Sequence, residues 1–219
     1  MIFKRNDDGI WQSISDMMTG LMMIFLFVCM GFLFPMKETV NRYEQIKNQI
    51  HQDLIDEFKP EDMARLGAKI EEDDLRIIFV SPSVFFAAGD STVNPNFQAV
   101  LAEFFPRYVK VLEKYSAEIV EVRIEGNASL EWSGDVNSNE AYFYNMKLSQ
   151  DRAFNVLQYV FTLNALQTPE KRQWLVDKLR ANGASFSKAD TQNATASRCV
   201  EISIRRNAEK ELNKINEQR

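Results

Sequence analysis

One acidic residue of this sequence, at the edge of a long apolar segment, could bind and release an ion. Asp16 precedes residues 17–34, eighteen positions without a charged side chain. Inside a membrane, loss of hydration would raise the pKa of its carboxyl group, which could then bind and release an ion. Two simpler interpretations stay open. Asp16 could lie in the interface as the last polar residue before the span, or it could cap the helix by accepting a hydrogen bond from the amide of Thr19.

The apolar segment is long enough to cross a bilayer. As a helix it would extend roughly 27 Å, close to the roughly 30 Å of a hydrocarbon core. A cleaved signal peptide is the alternative, but no small-residue cleavage site follows the segment. Basic residues flank both ends and do not decide the orientation, whereas only a short tail precedes the segment and a domain follows it. We therefore expect a cytoplasmic tail over residues 1–13 and a transmembrane helix over residues 14–36.

The next segment, residues 37–74, is predicted to be a juxtamembrane amphipathic helix and a linker. Its apolar residues recur three and four positions apart, as on one face of a helix. They are Val40, Tyr43, Ile46, Ile50, Leu54 and Phe58. This face could pack against the protein, or it could form a dimer seam or a movable plug. Lys59 and Pro60 are expected to end the helix.

Residues 75–206 are predicted to form an α+β domain. Strands are expected over residues 75–80, 118–126 and 198–206, because these runs are apolar or alternate in polarity. Helices are expected over residues 95–115, 141–163 and 169–183, the last ending at Gly183. The order β–α–β–α–(α)–β predicts a compact sandwich with its helices on one face of a sheet. Residues 207–219 form a charged C-terminal tail.

The composition argues against several classes of function. The chain has 26 basic and 31 acidic residues and a formal net charge of −5, whereas nucleic-acid-binding proteins usually carry a basic face. The one histidine, His51, has no metal-ligand partners at useful spacing, and the sequence has no Gly-rich phosphate loop. Cys29 and Cys199 are not expected to form an internal disulfide, although a bridge between two copies stays open. We predict that the protein is not an enzyme and needs no metal or cofactor.

The pattern W-x4-D-M-M-T-x-L-M-x-x-F runs from Trp11 to Phe25. It resembles the transmembrane signature of the MotB family, the B subunits of ion-driven stators. The resemblance implies that Asp16 carries the translocated ion, which we expect to be a proton. Ser15 and Thr19 would support this site, and their oxygens leave sodium open as the alternative. It further implies a homodimer inside a ring, expected to be a pentamer, of a MotA-like membrane subunit.

The pattern Y-N-x-x-L-S-x-x-R-A-x-x-V runs from Tyr144 to Val156, between the flanking segments VFFAAGDSTVNP, VRIEGN and SRCVEISI. It is similar to the helix signature of OmpA-like peptidoglycan-binding domains. The similarity implies that Tyr144, Asn145, Leu148 and Arg152 contact peptidoglycan. A guanidinium can bind a carboxylate of the peptide stem through two hydrogen bonds. From the residues alone, Leu148 could equally be a core residue and Arg152 a solvated surface charge.

One position departs from the OmpA-like pattern. The aspartate that follows G-x-T in that family, and that holds the diaminopimelate amine, is replaced by Ser129. Glu131 or Asp135 could substitute for it, or the site could bind more weakly. The loop that contains these residues is also longer than is usual in the family.

Together the two resemblances predict a B subunit of an ion-driven membrane motor that is anchored to peptidoglycan. The short tail, the short linker and the residues around Asp16 resemble the ZorB family of Zorya anti-phage systems more than flagellar subunits. We therefore expect a single-pass protein of the bacterial inner membrane with a periplasmic C-terminal domain and a role in anti-phage defence. A flagellar stator subunit and a passive OmpA-like cell-wall anchor are the alternatives.

Overall fold

The computed structural model describes residues 7–71, 75–80, 86–87, 89–128, 139–186 and 199–207. The chain divides into two units. One holds the helical residues up to Gln45, and the other runs from Ile46 to Asn207. The folded domain therefore begins at Ile46, within the segment 37–74 that we predict to be a helix and linker outside it.

The first element is a long helix, α1 (Asp7–Glu57). Within it, Trp11–Gly31 is long and apolar enough to cross a membrane, by length and composition, and none of this stretch is buried. We predicted a span over residues 14–36 and a separate helix after Pro35, but α1 continues through that position. A proline inside a helix removes one backbone hydrogen bond. Neither flank carries a cluster of turn-forming residues that would end the helix there.

Five strands form one sheet in the order β1-β2-β5-β3-β4. They are β1 (Ala68–Glu71), β2 (Arg76–Phe79), β3 (Ile119–Gly126), β4 (Leu179–Gly183) and β5 (Val200–Arg206). Neighbouring strands are antiparallel except β3 and β4, which are parallel. After α1, the helices in the described part of the domain are α2 (Pro60–Arg65), α3 (Pro95–Glu113), α4 (Asn139–Val160) and α5 (Pro169–Lys178), with a 3-10 turn at Asn164–Leu166.

Alternation along the strands separates an apolar face of the sheet from a charged one. Ile77 pairs with Ile202, and Ile202 pairs with Ile124, so these three side chains point to the same face. They lie in one core with helical residues, because strands expose successive side chains on opposite faces. The helical members of this core include Ile50, Leu54, Phe58, Phe97, Leu101, Phe104, Phe105, Tyr108 and Val156. The predicted α+β class, an apolar N-terminal helix followed by a mixed domain, is confirmed.

Two strands of the sheet were not predicted. β1 lies in the segment that we expected to be a linker. β4 occupies the end of the helix predicted for residues 169–183, which stops at Lys178. Leu179 and Ala181 continue an apolar spacing that suits a helix, but in the structure they pair with Val122 and Ile124 of β3. The charged tail was predicted from residue 207, and residues 208–219 lie outside the described part of the chain.

Candidate functional site

Asp16 lies within α1 near the N-terminal end of the stretch that could cross a membrane. It is the one charged residue of that stretch, and it is exposed. Because α1 begins at Asp7, Asp16 is an interior residue of the helix, and the interpretation of Asp16 as a helix cap is wrong. The hydroxyl of Thr19 donates a hydrogen bond to the carbonyl oxygen of Ser15 at 2.8 Å, so these two oxygen groups lie together on one side of the helix.

The four predicted peptidoglycan-contact residues lie on successive turns of α4 but differ in exposure. Tyr144 is 43% exposed and Leu148 is half-buried. Asn145 and Arg152 are each only 4% exposed. The side-chain amide of Asn145 donates to the carbonyl oxygen of Ala141 at 3.0 Å, one turn earlier in the same helix. The helix therefore presents Tyr144 and Leu148 at its surface, with Asn145 and Arg152 beneath.

Arg152 binds backbone carbonyl groups from two other segments of the domain. Its Nε donates to the carbonyl oxygen of Asp90 at 2.9 Å. Its two terminal nitrogens lie 3.5 Å from the carbonyl oxygens of Asn127 and Ala87. Its guanidinium carbon is also 5.2 Å from the centre of the Phe86 ring. The interpretation of Arg152 as a solvated surface charge is therefore wrong, because the side chain is buried. Its hydrogen bonds connect α4 to the turn around residue 90 and to the end of β3.

The turn at residues 90–92 is a second feature of this site, and none of its residues was among the predicted contact residues. Hydrogen bonds from the backbone and hydroxyl of Thr92 lower the pKa of the Asp90 carboxyl group, with a smaller contribution from the charge of Arg152. Asn155 donates its side-chain amide to the carbonyl oxygen of Ser91 at 2.9 Å. The G-D-S-T run was the available signal, because an aspartate followed by small polar residues favours such a turn.

Close packing of α4 on the sheet depends on two glycines. A Cβ atom on Gly126 would lie 2.2 Å from the carbonyl oxygen of Ser149. A Cβ atom on Gly183 would lie 2.7 Å from the hydroxyl oxygen of the same serine. Any larger residue would push the helix away from β3 and β4. The two glycines thus set the depth at which α4 carries its site residues.

A buried polar group lies on the opposite face of the sheet, at the end of β3. The Asn127 side chain donates to Glu201 Oε1 at 2.8 Å, and its backbone amide donates to the carbonyl oxygen of Cys199 at 3.0 Å. Arg76 forms an ion pair with Glu201 at 3.3 Å. These contacts fix the backbone position that Arg152 binds from the helix side. Within the described residues, no group of three or more His, Cys, Asp or Glu side chains could hold a metal ion.

Ser129, at the position of the missing aspartate, lies outside the described residues. The same is true of Glu131 and Asp135, the two residues that could replace it. The structure therefore describes the predicted contact residues of α4, whereas the acidic residue of the predicted peptidoglycan site stays a prediction.

Comparison with known proteins gives one extensive sequence relative. Zorya protein ZorB of Escherichia coli is 38% identical to this chain over 224 residues, which cover 97% of this chain and 94% of the relative. The chain belongs to the ZorB family. The resemblance to that family is thereby confirmed, and the ZorB alignment includes both the apolar helix and the folded domain. No protein-family model matches the sequence.

Solved structures give more distant likenesses. A MotB-like protein from Desulfovibrio vulgaris is 20% identical, with a TM-score of 0.46, over 78% of this chain and 95% of that chain. The periplasmic domain of Helicobacter pylori MotB is 15% identical, with a TM-score of 0.45, over 68% of this chain and 84% of that chain. The OmpA-like domain of Francisella tularensis FopA1 is 22% identical, with a TM-score of 0.40, over 64% and 81%. Membership of the ZorB family rests on the sequence relative alone.

Proposed function

We propose that this protein is the peptidoglycan-anchored B subunit of a proton-driven membrane motor that acts in anti-phage defence. The observation that carries the proposal is the 38% sequence identity with ZorB over 97% of this chain. It favours the defence role over a flagellar one. The isolated acid in the apolar stretch favours a motor subunit over a passive anchor, since an anchor has no need of a charge there.

Asp16 is the proposed ion carrier. A carboxylate within a membrane helix is costly, by up to about 2.5–3.5 kcal/mol at the centre, and such residues usually mark an ion path. A membrane potential supplies about 2.3 kcal/mol per 100 mV to each charge that crosses, which is enough to bias successive protonation steps. Thr19 and Ser15 would support the site. The hydroxyl of Thr19 already donates to the Ser15 carbonyl and is therefore directed along the helix.

The proposed peptidoglycan contact is the N-terminal half of α4. Tyr144 and Leu148 supply its surface. Asn145 and Arg152, each only 4% exposed, give the same helix a polar group and a positive charge. A guanidinium can bind a carboxylate of a peptide stem by two parallel hydrogen bonds. Holding the domain to a fixed wall would leave the partner subunit as the moving part of the motor.

The proposed assembly is a homodimer whose apolar helices sit inside a ring, a pentamer, of a MotA-like membrane subunit. The stretch Trp11–Gly31 has no buried residue in the single chain, so its apolar side chains need lipid or protein around them. We place the N-terminus in the cytoplasm and the domain in the periplasm, where peptidoglycan lies. No cofactor beyond the translocated proton is proposed.

The proton step is tested by Asp16→Asn in cells that also produce the ring subunit. Asparagine keeps the size and polarity of the side chain but cannot carry a proton, so both proton flux and protection from phage should be lost. Met17→Leu is the matched control, because it changes the adjacent exposed residue without altering charge. Retention of flux and protection in the asparagine variant would overturn the proposed role of Asp16.

The anchor is tested by sedimentation of the full chain, in detergent, with purified peptidoglycan sacculi. The double variant Tyr144→Ala, Leu148→Ala removes one exposed and one half-buried side chain of the contact. It should release the chain from the pellet while the chain keeps a cooperative melting transition. Phe143→Ala is the control, since Phe143 is exposed on the same turn but is not part of the proposed contact. Equal sedimentation of wild type and the double variant would exclude this surface as the contact.

A further inference from the structure

A strained serine lies beside the proposed peptidoglycan contact. Ser185 follows β4, is fully buried, and has a φ angle of +52°. Residues other than glycine rarely adopt this left-handed conformation, and where they do, the surrounding structure holds them there. Glycine would fit this φ without strain. The chain has a serine here although glycine suits the backbone, so the hydroxyl group calls for an explanation.

Each polar group of Ser185 binds a different part of the domain. Its backbone amide donates to the hydroxyl oxygen of Ser149 at 3.0 Å. Its hydroxyl donates to the carbonyl oxygen of Tyr142 at 3.2 Å. Its carbonyl oxygen accepts from the amide of Ala128 at 2.8 Å. One residue therefore joins the first turn of α4, the third turn of α4 and the backbone just after β3.

The joined elements are those that carry the proposed contact. Tyr142 lies two residues before Tyr144, in the same turn of α4. Ala128 follows Asn127, whose carbonyl oxygen lies 3.5 Å from Arg152. The bond to the Tyr142 carbonyl is the one that needs the hydroxyl, because the other two bonds use the backbone of Ser185. The strained backbone of Ser185 thus occurs with a hydrogen bond that fixes the start of α4.

We propose that Ser185 is a positioning residue for the peptidoglycan contact: its hydroxyl holds the first turn of α4, and with it Tyr144 and Asn145, in the binding arrangement. The proposal rests on the proposed anchoring function. Ser185 does not itself touch the ligand, since it is buried. Its contribution is to order the contact before binding, so that less conformational freedom is lost when the wall component binds.

A Ser185→Gly variant separates positioning from stability. Glycine removes the hydroxyl but relieves the backbone strain, so the melting temperature should fall by no more than about 3 °C and could rise. Binding of the full chain to purified sacculi, in detergent, should weaken roughly two- to twelve-fold, the cost of ordering one further flexible group on binding. Ser185→Asn tolerates the left-handed conformation and offers a side-chain donor, so it should restore part of the affinity.

Gln150→Ala is the matched control with the opposite expected result. Gln150 lies on α4 and binds the carbonyl of Ala181 and the amide of Gly183, but it does not bind the first turn of the helix. Its removal should lower the melting temperature and leave sacculus binding unchanged. If the wild type binds sacculi and Ser185→Gly binds them equally well, the positioning role is overturned and the anchoring function is not. An absence of binding by the wild type would overturn the anchoring function and this role with it.

Discussion

The guanidinium of Arg107 lies 4.6 Å from the centre of the Phe58 ring. Arg107 belongs to α3, whereas Phe58 follows directly after α1. The same arginine donates from Nε to Glu57 at 2.8 Å, and Phe58 stacks on Phe104 at 4.9 Å between ring centres. The end of α1 is therefore built into the core of the domain by ring packing and by an ion pair together.

This packing predicts where the domain begins. A fragment over residues 46–207 should fold, and a fragment over residues 75–207 should not. The shorter fragment loses Ile50, Leu54 and Phe58, which are at most 1% exposed. At roughly 1.5–3 kcal/mol for each buried side chain, the loss is about 5–9 kcal/mol, comparable to the whole stability of a domain. Circular dichroism during heating checks this. A cooperative transition in the shorter fragment would show that residues 46–58 are dispensable.

The Arg107 side chain should contribute measurably to stability. Arg107→Gln removes the charge from a half-buried group that binds Glu57 and Asp62 and stands over Phe58. We expect the free energy of unfolding to fall by about 2–3 kcal/mol, from charged hydrogen bonds and the cation–π contact. Urea unfolding of the domain measures the change. Lys110→Ala, an exposed position on the same helix, is the control and should alter stability little.

Stability should fall when the pH is lowered from neutrality. A hydrogen bond from Lys114 is the main cause that lowers the pKa of Asp53. Hydrogen bonds from Arg65 are the main cause that lowers the pKa values of Asp62 and Glu103. A carboxyl group whose pKa is lower in the folded chain stabilises the fold above its unfolded value, near about 4. This contribution is lost as the pH falls through the folded pKa values.

Urea unfolding at pH 7, 5 and 3 should show the loss mainly below about pH 5. Arg65→Gln should flatten the dependence, because Arg65 is the principal partner of both Asp62 and Glu103. Arg65→Gln also keeps its side chain polar at an exposed position, so the fold should persist. A variant with the same pH dependence as the wild type would show that these ion pairs do not control acid stability.

Sequence patterns predicted the helices and strands whose signals, such as alternating polarity or an initial proline, lie within the element itself. The alternation of β3 and the proline that begins α3 predicted these elements within a few residues of their observed bounds. β4 was missed because its partner, β3, lies more than fifty residues earlier, and a five-residue strand has too little pattern of its own. The burial of Arg152 was missed for the same reason, since the carbonyl groups that it binds belong to residues 87, 90 and 127.

The contacts of Arg152 lead to a prediction that distinguishes its structural part from a ligand-binding part. Lysine in its place would keep the positive charge but could not reach three carbonyl groups in three directions. Arg152→Lys should therefore lower the free energy of unfolding by about 2–3 kcal/mol, because buried carbonyl groups lose charged donors.

Urea unfolding of the full chain in detergent measures this change. Lys147→Ala is the control, since Lys147 is exposed on the same helix and forms an ion pair with Asp151 at 2.8 Å. If charge were all that Arg152 supplied, the lysine variant would unfold at the same urea concentration as the wild type. A destabilised lysine variant that still binds sacculi would assign Arg152 to the architecture of the site, with ligand contact left to the surface residues Tyr144 and Leu148.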